Sequence, residues 1–195
     1  VCADRRLALG AVHVAGFAEA LAAIERADRA AGPLERTPPR SSDRLLSGRT
    51  VLVSAGPTEE PIDAVRFLSN RSSGKMGYAL AEAARDRGAR VTLLSGPTGL
   101  AKPEGIRVFS FETADELHAL LVKEFPECDG LVMAAAVADF IPEESGRRFH
   151  REEGNRTVTL RAGRDLLASL KPLRRDQTVV AFAAETGDLE ARGRR

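Results

Sequence analysis

TVLVSAGPTEEPIDAVRFLSNRSSGKMGYALAEAARDRG, residues 50–88, is the stretch on which the fold turns. It opens with TVLVS (50–54), a short β-branched run of the kind shown by a strand buried on both faces. It closes with GYALAEAARDRG (77–88), a helix-forming run with a glycine at its stop. Between them lie residues 55–73. Strand-to-helix connections usually take roughly 2–6 residues, and long ordered loops are disproportionately functional.

The alternation continues downstream. RVTLLSG (90–96) and IRVFSF (106–111) read as a second and a third strand. TADELHALLVKEF (113–125) opens with Thr113 and Glu116 in capping-box spacing and stops at Pro126, which predicts a helix. GLVMAAAVAD (130–139) reads as a fourth strand running into a turn, RDLLASLKPL (164–173) as a short helix and TVVAFAAET (178–186) as a fifth strand. Strands alternating with helices imply right-handed crossovers, hence an α/β, Rossmann-like parallel sheet flanked by helices. RRFHREEGNRTVTL (147–160) breaks the pattern: two short runs flank Glu153-Gly154-Asn155, which predicts a β-hairpin flap. Upstream, residues 1–31 are helix-prone and PLERTPPRSSDRLLSG (33–48) has linker composition. The expected division is an arm or the end of something upstream over 1–46, and the α/β domain over 47–195.

Composition narrows the function classes. A chain of 195 residues with 43% apolar residues suits one ordinary domain with an arm. Of 29 basic residues 25 are arginine, leaving Lys75, Lys102, Lys123 and Lys171, and the net charge of +1 does not by itself speak for or against nucleic acid. One Tyr and no Trp supply no aromatic interleaving, so no nucleic-acid partner is expected. No apolar run approaches the roughly 20 residues of a membrane helix, and no membrane partner is expected. Cys2 and Cys128 are too few and too far apart for a disulfide framework or a metal cluster, which fits a reducing, cytoplasmic setting. His13 and His118 read as structural or exposed, and His150 lies in the basic hairpin segment. No transition-metal site is expected; a nucleoside triphosphate would still bring Mg²⁺, held largely by phosphate and water.

Ligands of open α/β sheets bind beyond the carboxyl ends of the strands, at the switch point. SAGPTEEPID there lacks the GxGxxG fingerprint, and SSGKMG lacks the upstream glycine and trailing Ser/Thr of a P-loop. What remains is a helix N-terminus at about Gly74, offering free N–H groups and a positive dipole end. Arg66, Arg71, Lys75, Ser72 and Ser73 surround it. The spacing fits an anion site, and it also fits a well-capped helix with solvated charges. AAAVADF (134–140) ends the fourth strand in small residues, so a flat ligand could approach the backbone and Asp139 could accept from an amino group or a ribose hydroxyl. Tight helix–sheet packing with Asp139 as an N-cap explains the same letters. FAAET (182–186) ends the fifth strand in the same style. Two such strand ends side by side make a slot for a base.

SAGPTEEPIDAVRFLSNRSSGKMG (54–77), AAAVADF and FAAET, in that order and spacing, resemble phosphopantothenate–cysteine ligase, the synthetase domain of the bifunctional bacterial coenzyme A biosynthesis protein. The similarity covers residues 49 to about 190. It implies a ligase in which the carboxylate of 4′-phosphopantothenate attacks CTP, pyrophosphate leaves and an acyl-cytidylate forms. The amine of cysteine then attacks that intermediate, giving 4′-phosphopantothenoylcysteine and CMP. Positioning and cationic stabilisation would be the main work. The resemblance assigns catalysis to Asn70 and Arg148, and nucleotide binding to Ala134, Ala135, Asp139, Arg148, Phe182, Ala183, Ala184 and Glu185. Substrate or phosphate binding falls to Gly56, Arg66, Asn70, Ser72, Ser73, Gly74 and Lys75. Asn70 is expected to donate to the acyl-phosphate oxygen while its carbonyl fixes the loop.

The resemblance further implies Mg²⁺, a homodimer paired through the hairpin, and fusion or association with a flavin-dependent decarboxylase whose FMN and catalytic cysteine are not in this chain. Residues 1–46 would be the tail of that domain and its linker. Three departures stand out. RFHREEG (148–154) replaces a Lys-x-Lys-Lys stretch, so Arg148, His150 and Arg151 stand where lysines would be. Gly163-Arg164-Asp165 replaces an Asn-Pro-Asp, and the chain stops at Arg195, before a lysine-bearing C-terminal part. These departures keep a second expectation in play, a non-catalytic nucleotide-binding or regulatory domain of the same fold.

Overall fold

The computed structural model describes residues 9–11 and 44–184. In chain order the strands are β1 (Leu9–Ala11), β2 (Thr50–Ala55), β3 (Glu59–Pro61), β4 (Phe67–Ser69), β5 (Arg90–Ser95), β6 (Arg107–Ser110), β7 (Gly130–Met133), β8 (Phe140–Pro142), β9 (Leu160–Ala162) and β10 (Thr178–Ala184). The helices are α1 (Lys75–Asp86), α2 (Ala114–Glu124) and α3 (Leu166–Leu170). The main sheet has the order β1-β10-β7-β2-β5-β6, in which every pair except β1–β10 is parallel. The parallel part starts at β2, steps outward to β5 and β6, then returns to the other side of β2 for β7 and β10. That reversal opens a crevice between β2 and β7.

The five parallel strands are the five read from the sequence. β2 and β5 are buried from Val51 to Ala55 and from Val91 to Ser95, because helices cover both faces. Successive residues of β2 point to opposite sides. Val51, Val53 and Ala55 pack with Tyr78, Ala81 and Ala84 of α1. Leu52 packs with Leu117 and Leu121 of α2 and Leu166 and Leu170 of α3. α1 lies down closely on the end of β2: a Cβ on Gly77 would sit 2.5 Å from the Ala55 Cβ. α2 opens with Thr113 Oγ1 accepting from the Glu116 N–H at 3.2 Å, while Glu116 Oε2 accepts from the Glu112 N–H at 2.7 Å. The box is present, shifted by one residue on its return arm. The buried Glu60 adds a cap from outside, its Oε1 accepting from the Ala114 N–H at 2.9 Å.

Four features differ from the sequence reading. The fourth strand stops at Met133, where its pairing with β10 ends, and the chain beyond keeps only single main-chain bonds to the extension of β2 as it lines a cleft. The long connection is itself ordered, with β3 and β4 pairing antiparallel from Glu59↔Ser69 to Pro61↔Phe67. The hairpin expected around Glu153-Gly154-Asn155 is not formed there. Residues 151–153 make a 3-10 turn, and the antiparallel pair is β8 with β9, so residues 143–159 form a long flap between them. Val158 and Leu160, the alternating apolar residues of the run, stay exposed, and a short pair that buries no apolar face is marginal. Leu9–Ala11, in the stretch read as helix-prone, is an edge strand antiparallel to β10. The rest of that reading, the linker up to residue 43, and residues 185–195 lie outside the described residues. Among the described residues no helix is long and apolar enough to cross a membrane.

Candidate functional site

At the crevice lies a cleft of about 830 Å³, lined by residues 133–139, by Asn70, Arg71, Ser72 and Met76, by residues 163–167, and by Ala181 and Phe182. The wall that continues β7 is mostly main chain and alanine, with Met133, Val137 and Asp139 among them. The wall is stitched to the extension of β2: Ala134 N–H donates to Ser54 O at 3.1 Å and Ala136 N–H to Gly56 O at 2.8 Å. Ala135 N–H donates to Ser54 Oγ at 3.2 Å, and Ala138 N–H to Thr58 Oγ1 at 3.0 Å. Ser54 and Thr58 are fully buried, so these hydroxyls act as fixed backbone acceptors. Neither was singled out from the sequence. A polar residue at the end of an otherwise apolar strand was the available signal.

With those N–H groups engaged, the wall presents carbonyls toward the 55–73 segment. Asn70 answers them: its Nδ2 donates to Ala136 O at 3.2 Å and to Val137 O at 2.9 Å. Both amide hydrogens are therefore held by the wall, and Oδ1 accepts no hydrogen bond from the described residues. This reverses the expectation that the carbonyl fixes the loop while the amide donates. The reason is the wall's own hydrogen-bond pattern. Asp139 lines the cleft, is exposed and caps no helix. The cap of α3 is Asp165, whose Oδ1 accepts from the Ala168 N–H at 2.9 Å.

The α1 N-terminus adjoins the cleft. Its cap, Gly74, is left-handed at φ 73, a conformation that favours glycine, and packs over the backbone of Gly56. Gly74 N–H donates to Ser72 Oγ at 3.3 Å. Arg71, Ser73 and Lys75 are exposed, and neither cation has an ion-pair partner among the described residues. Asn70, Ser72, Ala134, Ala135, Asp139 and Phe182 thus meet at one cleft, whereas Gly56, Ser73, Gly74 and Lys75 stand beside it. Ala183 and Ala184 continue β10 past Phe182, and Glu185 lies outside the described residues. Arg164, which lines the cleft and lies 3.9 Å from Asp115, is a cation the sequence reading noted only as a departure.

Arg66 and Arg148 are not in the lining. Arg66 pairs with Asp63 at 2.8 Å, and its Nη2 donates to Phe149 O at 3.1 Å. Arg148 is exposed on the flap next to Phe149. Burial pushes the Asp63 carboxyl up, but the N–H groups of Phe149, Val65 and Arg66 and the Arg66 charge outweigh it and hold it below the usual range. At the opposite end of the sheet, the Thr50 N–H and the guanidinium of Arg49 hold Asp129 low, against some desolvation. Burial, helped by the Asp129 charge, pushes the Cys128 thiol up to about 12. No group of three or more His, Cys, Asp or Glu side chains is arranged to hold a metal among the described residues.

Residues 46–195 match the family described as the DNA/pantothenate metabolism flavoprotein C-terminal domain. The chain is 47% identical over 152 residues to the coenzyme A biosynthesis bifunctional protein CoaBC of Mycobacterium tuberculosis strain H37Rv, a match covering 73% of this chain and 36% of that protein. It is 45% identical over 150 residues to a cysteine/cysteine sulfinic acid decarboxylase from an unknown prokaryotic organism, covering 75% of this chain and 42% of that one. The chain thus spans less than half the length of these curated relatives. A crystal structure of the C-terminal domain of CoaBC superposes with a TM-score of 0.61 at 36% identity, covering 70% of this chain and 64% of that one. With the parallel sheet and the strand-end cleft described above, these matches place the chain in the DNA/pantothenate metabolism flavoprotein C-terminal domain family.

Proposed function

We propose that this domain is a CTP-dependent phosphopantothenate–cysteine ligase acting in coenzyme A biosynthesis. The observation that carries the reading is the placement of Asn70 and the α1 N-terminus against a main-chain wall at the switch point. The base lies against residues 134–138 and Phe182, with Asp139 accepting from an amino or ribose hydroxyl group. Ser72, Ser73, Gly74 and Lys75 at the α1 start, with Gly56 beneath them, favour the phosphates. Asn70 and Arg71 stand between the two regions. The carboxylate oxygen of 4′-phosphopantothenate bonds to the α-phosphorus, and the bond to the pyrophosphate oxygen breaks. The cysteine nitrogen then bonds to the acyl carbon, CMP leaves with the electron pair, and the amine loses its proton. Arg66 and Arg148 supply charge from the hairpin and flap side. Mg²⁺ enters on the triphosphate, held mainly by phosphate and water. Residues 1–46 are read as the end of an upstream flavin-dependent decarboxylase-like domain and its linker, and FMN belongs to that domain.

A homodimer fits the exposed apolar side chains Val65, Phe67, Phe140 and Leu160 on the two small hairpins. The position of Arg148 outside the cleft lining favours one rival, a domain that binds nucleotide without turnover.

Pyrophosphate release from CTP or ATP, with 4′-phosphopantothenate and with or without cysteine, tests the scheme. The expected result is release with CTP exceeding that with ATP, cysteine being needed only for product. Binding of CTP without release supports the rival, and equal or faster release with ATP overturns the CTP assignment. Light scattering on the same protein should give a dimer at micromolar concentration; a monomer refutes the pairing.

A further inference from the structure

Asp63 is fully buried at its side chain, yet it serves two separate elements. Its Oδ1 accepts from the N–H groups of Val65 and Arg66, each at 2.8 Å, which closes the turn between β3 and β4. Its Oδ2 accepts from Arg66 Nη1 at 2.8 Å and, across the chain, from the Phe149 N–H at 3.1 Å. The carbonyl of the same flap residue accepts from Arg66 Nη2 at 3.1 Å. The Phe149 peptide is therefore gripped on both sides, N–H by Asp63 and C=O by Arg66. A third tie, Ser145 N–H to Ile62 O at 2.9 Å, lies alongside.

The rest of the flap braces only itself. Glu153 pairs with Arg147 at 2.6 Å and with Arg156, and the Arg156 guanidinium lies 5.2 Å from the centre of the Phe149 ring. Every residue from 150 to 162 is exposed, so no apolar anchor fixes this segment to the body. Where apolar contacts are absent, local opening is governed by the polar ties that remain. Arg148 and His150 flank the gripped peptide, and neither has an ion-pair partner among the described residues.

We infer that Asp63 is a positioning residue: with Arg66 it clamps the Phe149 peptide and so sets where the flap cations Arg148 and His150 are held. The functional half of this statement rests on the ligase reading; the clamp does not. Asp63→Asn tests it, because the amide keeps volume and one acceptor but leaves an NH₂ group facing two donors. Trypsin cleavage after Arg147, Arg148 and Arg151, mapped by mass spectrometry, should rise about tenfold or more, the scale expected for losing hydrogen bonds to a charged group. Cleavage outside the flap and the β3–β4 turn, where Arg66 is itself a trypsin site, and the far-ultraviolet circular dichroism should stay as in the wild type. Calorimetric binding of CTP should weaken by about tenfold on the same argument.

If Asp63→Asn does not fold, Arg66→Lys carries the test. It keeps the charge beside Asp63 but cannot span both Oδ2 and the Phe149 carbonyl. Flap cleavage unchanged in the folded variants overturns the clamp. Raised cleavage with CTP affinity unmoved overturns the positioning role. A wild-type protein that binds no CTP sinks the ligase reading instead, and cleavage alone then decides the clamp.

Discussion

Asn70 gives both amide hydrogens to the carbonyls of Ala136 and Val137, so it is at once part of the loop and part of the wall it faces. Asn70→Ala loses both bonds and the free Oδ1. Each neutral bond is worth about 0.5–1.5 kcal/mol net, so the pair corresponds to a fall of about five- to 150-fold in CTP-dependent pyrophosphate release. The residue is exposed and outside both core clusters, so the fold should survive, with thermal unfolding lowered by about 2–4 °C for each kcal/mol lost. A rate within a factor of about two of wild type would remove Asn70 from the reaction centre. The resemblance of the 54–77 stretch made this asparagine legible as a candidate, and the structure places it in the cleft lining. Which of its atoms the wall holds was not legible, because that depends on the hydrogen bonds made by residues 134–138, more than sixty positions away.

α1 meets β2 with no side chain between Gly77 and Ala55. Gly77→Ala would place a methyl 2.5 Å from the Ala55 Cβ and 3.0 Å from the Ser54 oxygen, forcing the helix off the strand end. Overpacking of this kind costs about 1–3 kcal/mol, to be read as a lowered urea midpoint at unchanged slope. An unchanged midpoint would mean that α1 adjusts freely, against the close-packed reading. The long elements were legible because buried parallel strands are written as continuous apolar runs. The β3–β4 hairpin was not, since its turn is held by one buried carboxylate and the Phe149 amide of a distant segment. The turn letters Gly154-Asn155 misled for the converse reason. Gly154 does take a positive φ of 78, but Glu153 with Arg147 and Arg156 gathers the chain into a compact turn and not a ladder.

Among the described residues, carboxylates tie distant segments together: Asp63 joins the β3–β4 turn to the flap, and Asp129 joins the start of β2 to the start of β7. Both are held below their ordinary pKa, so the unfolded chain takes up protons more readily than the folded one. Their contribution is complete above the unfolded value of about 3.9 and is lost as pH falls through the lower folded values. Urea midpoints should therefore be level from neutrality to about pH 5 and drop below about pH 4. In Asp129→Asn, the drop should be shallower and the neutral midpoint lower; an unaltered profile would detach Asp129 from acid stability. The alanine wall has a consequence of a different kind. An inhibitor resting on residues 134–138 would touch main chain and methyl groups; at the alanines only glycine is not bulkier, and it leaves the main chain in place. A bulkier side chain at Ala134 or Ala135 would narrow the slot for the natural ligand as well. Drug resistance would then have to arise along residues 163–167, at Arg164 or Leu167, where side chains can change without closing the cleft.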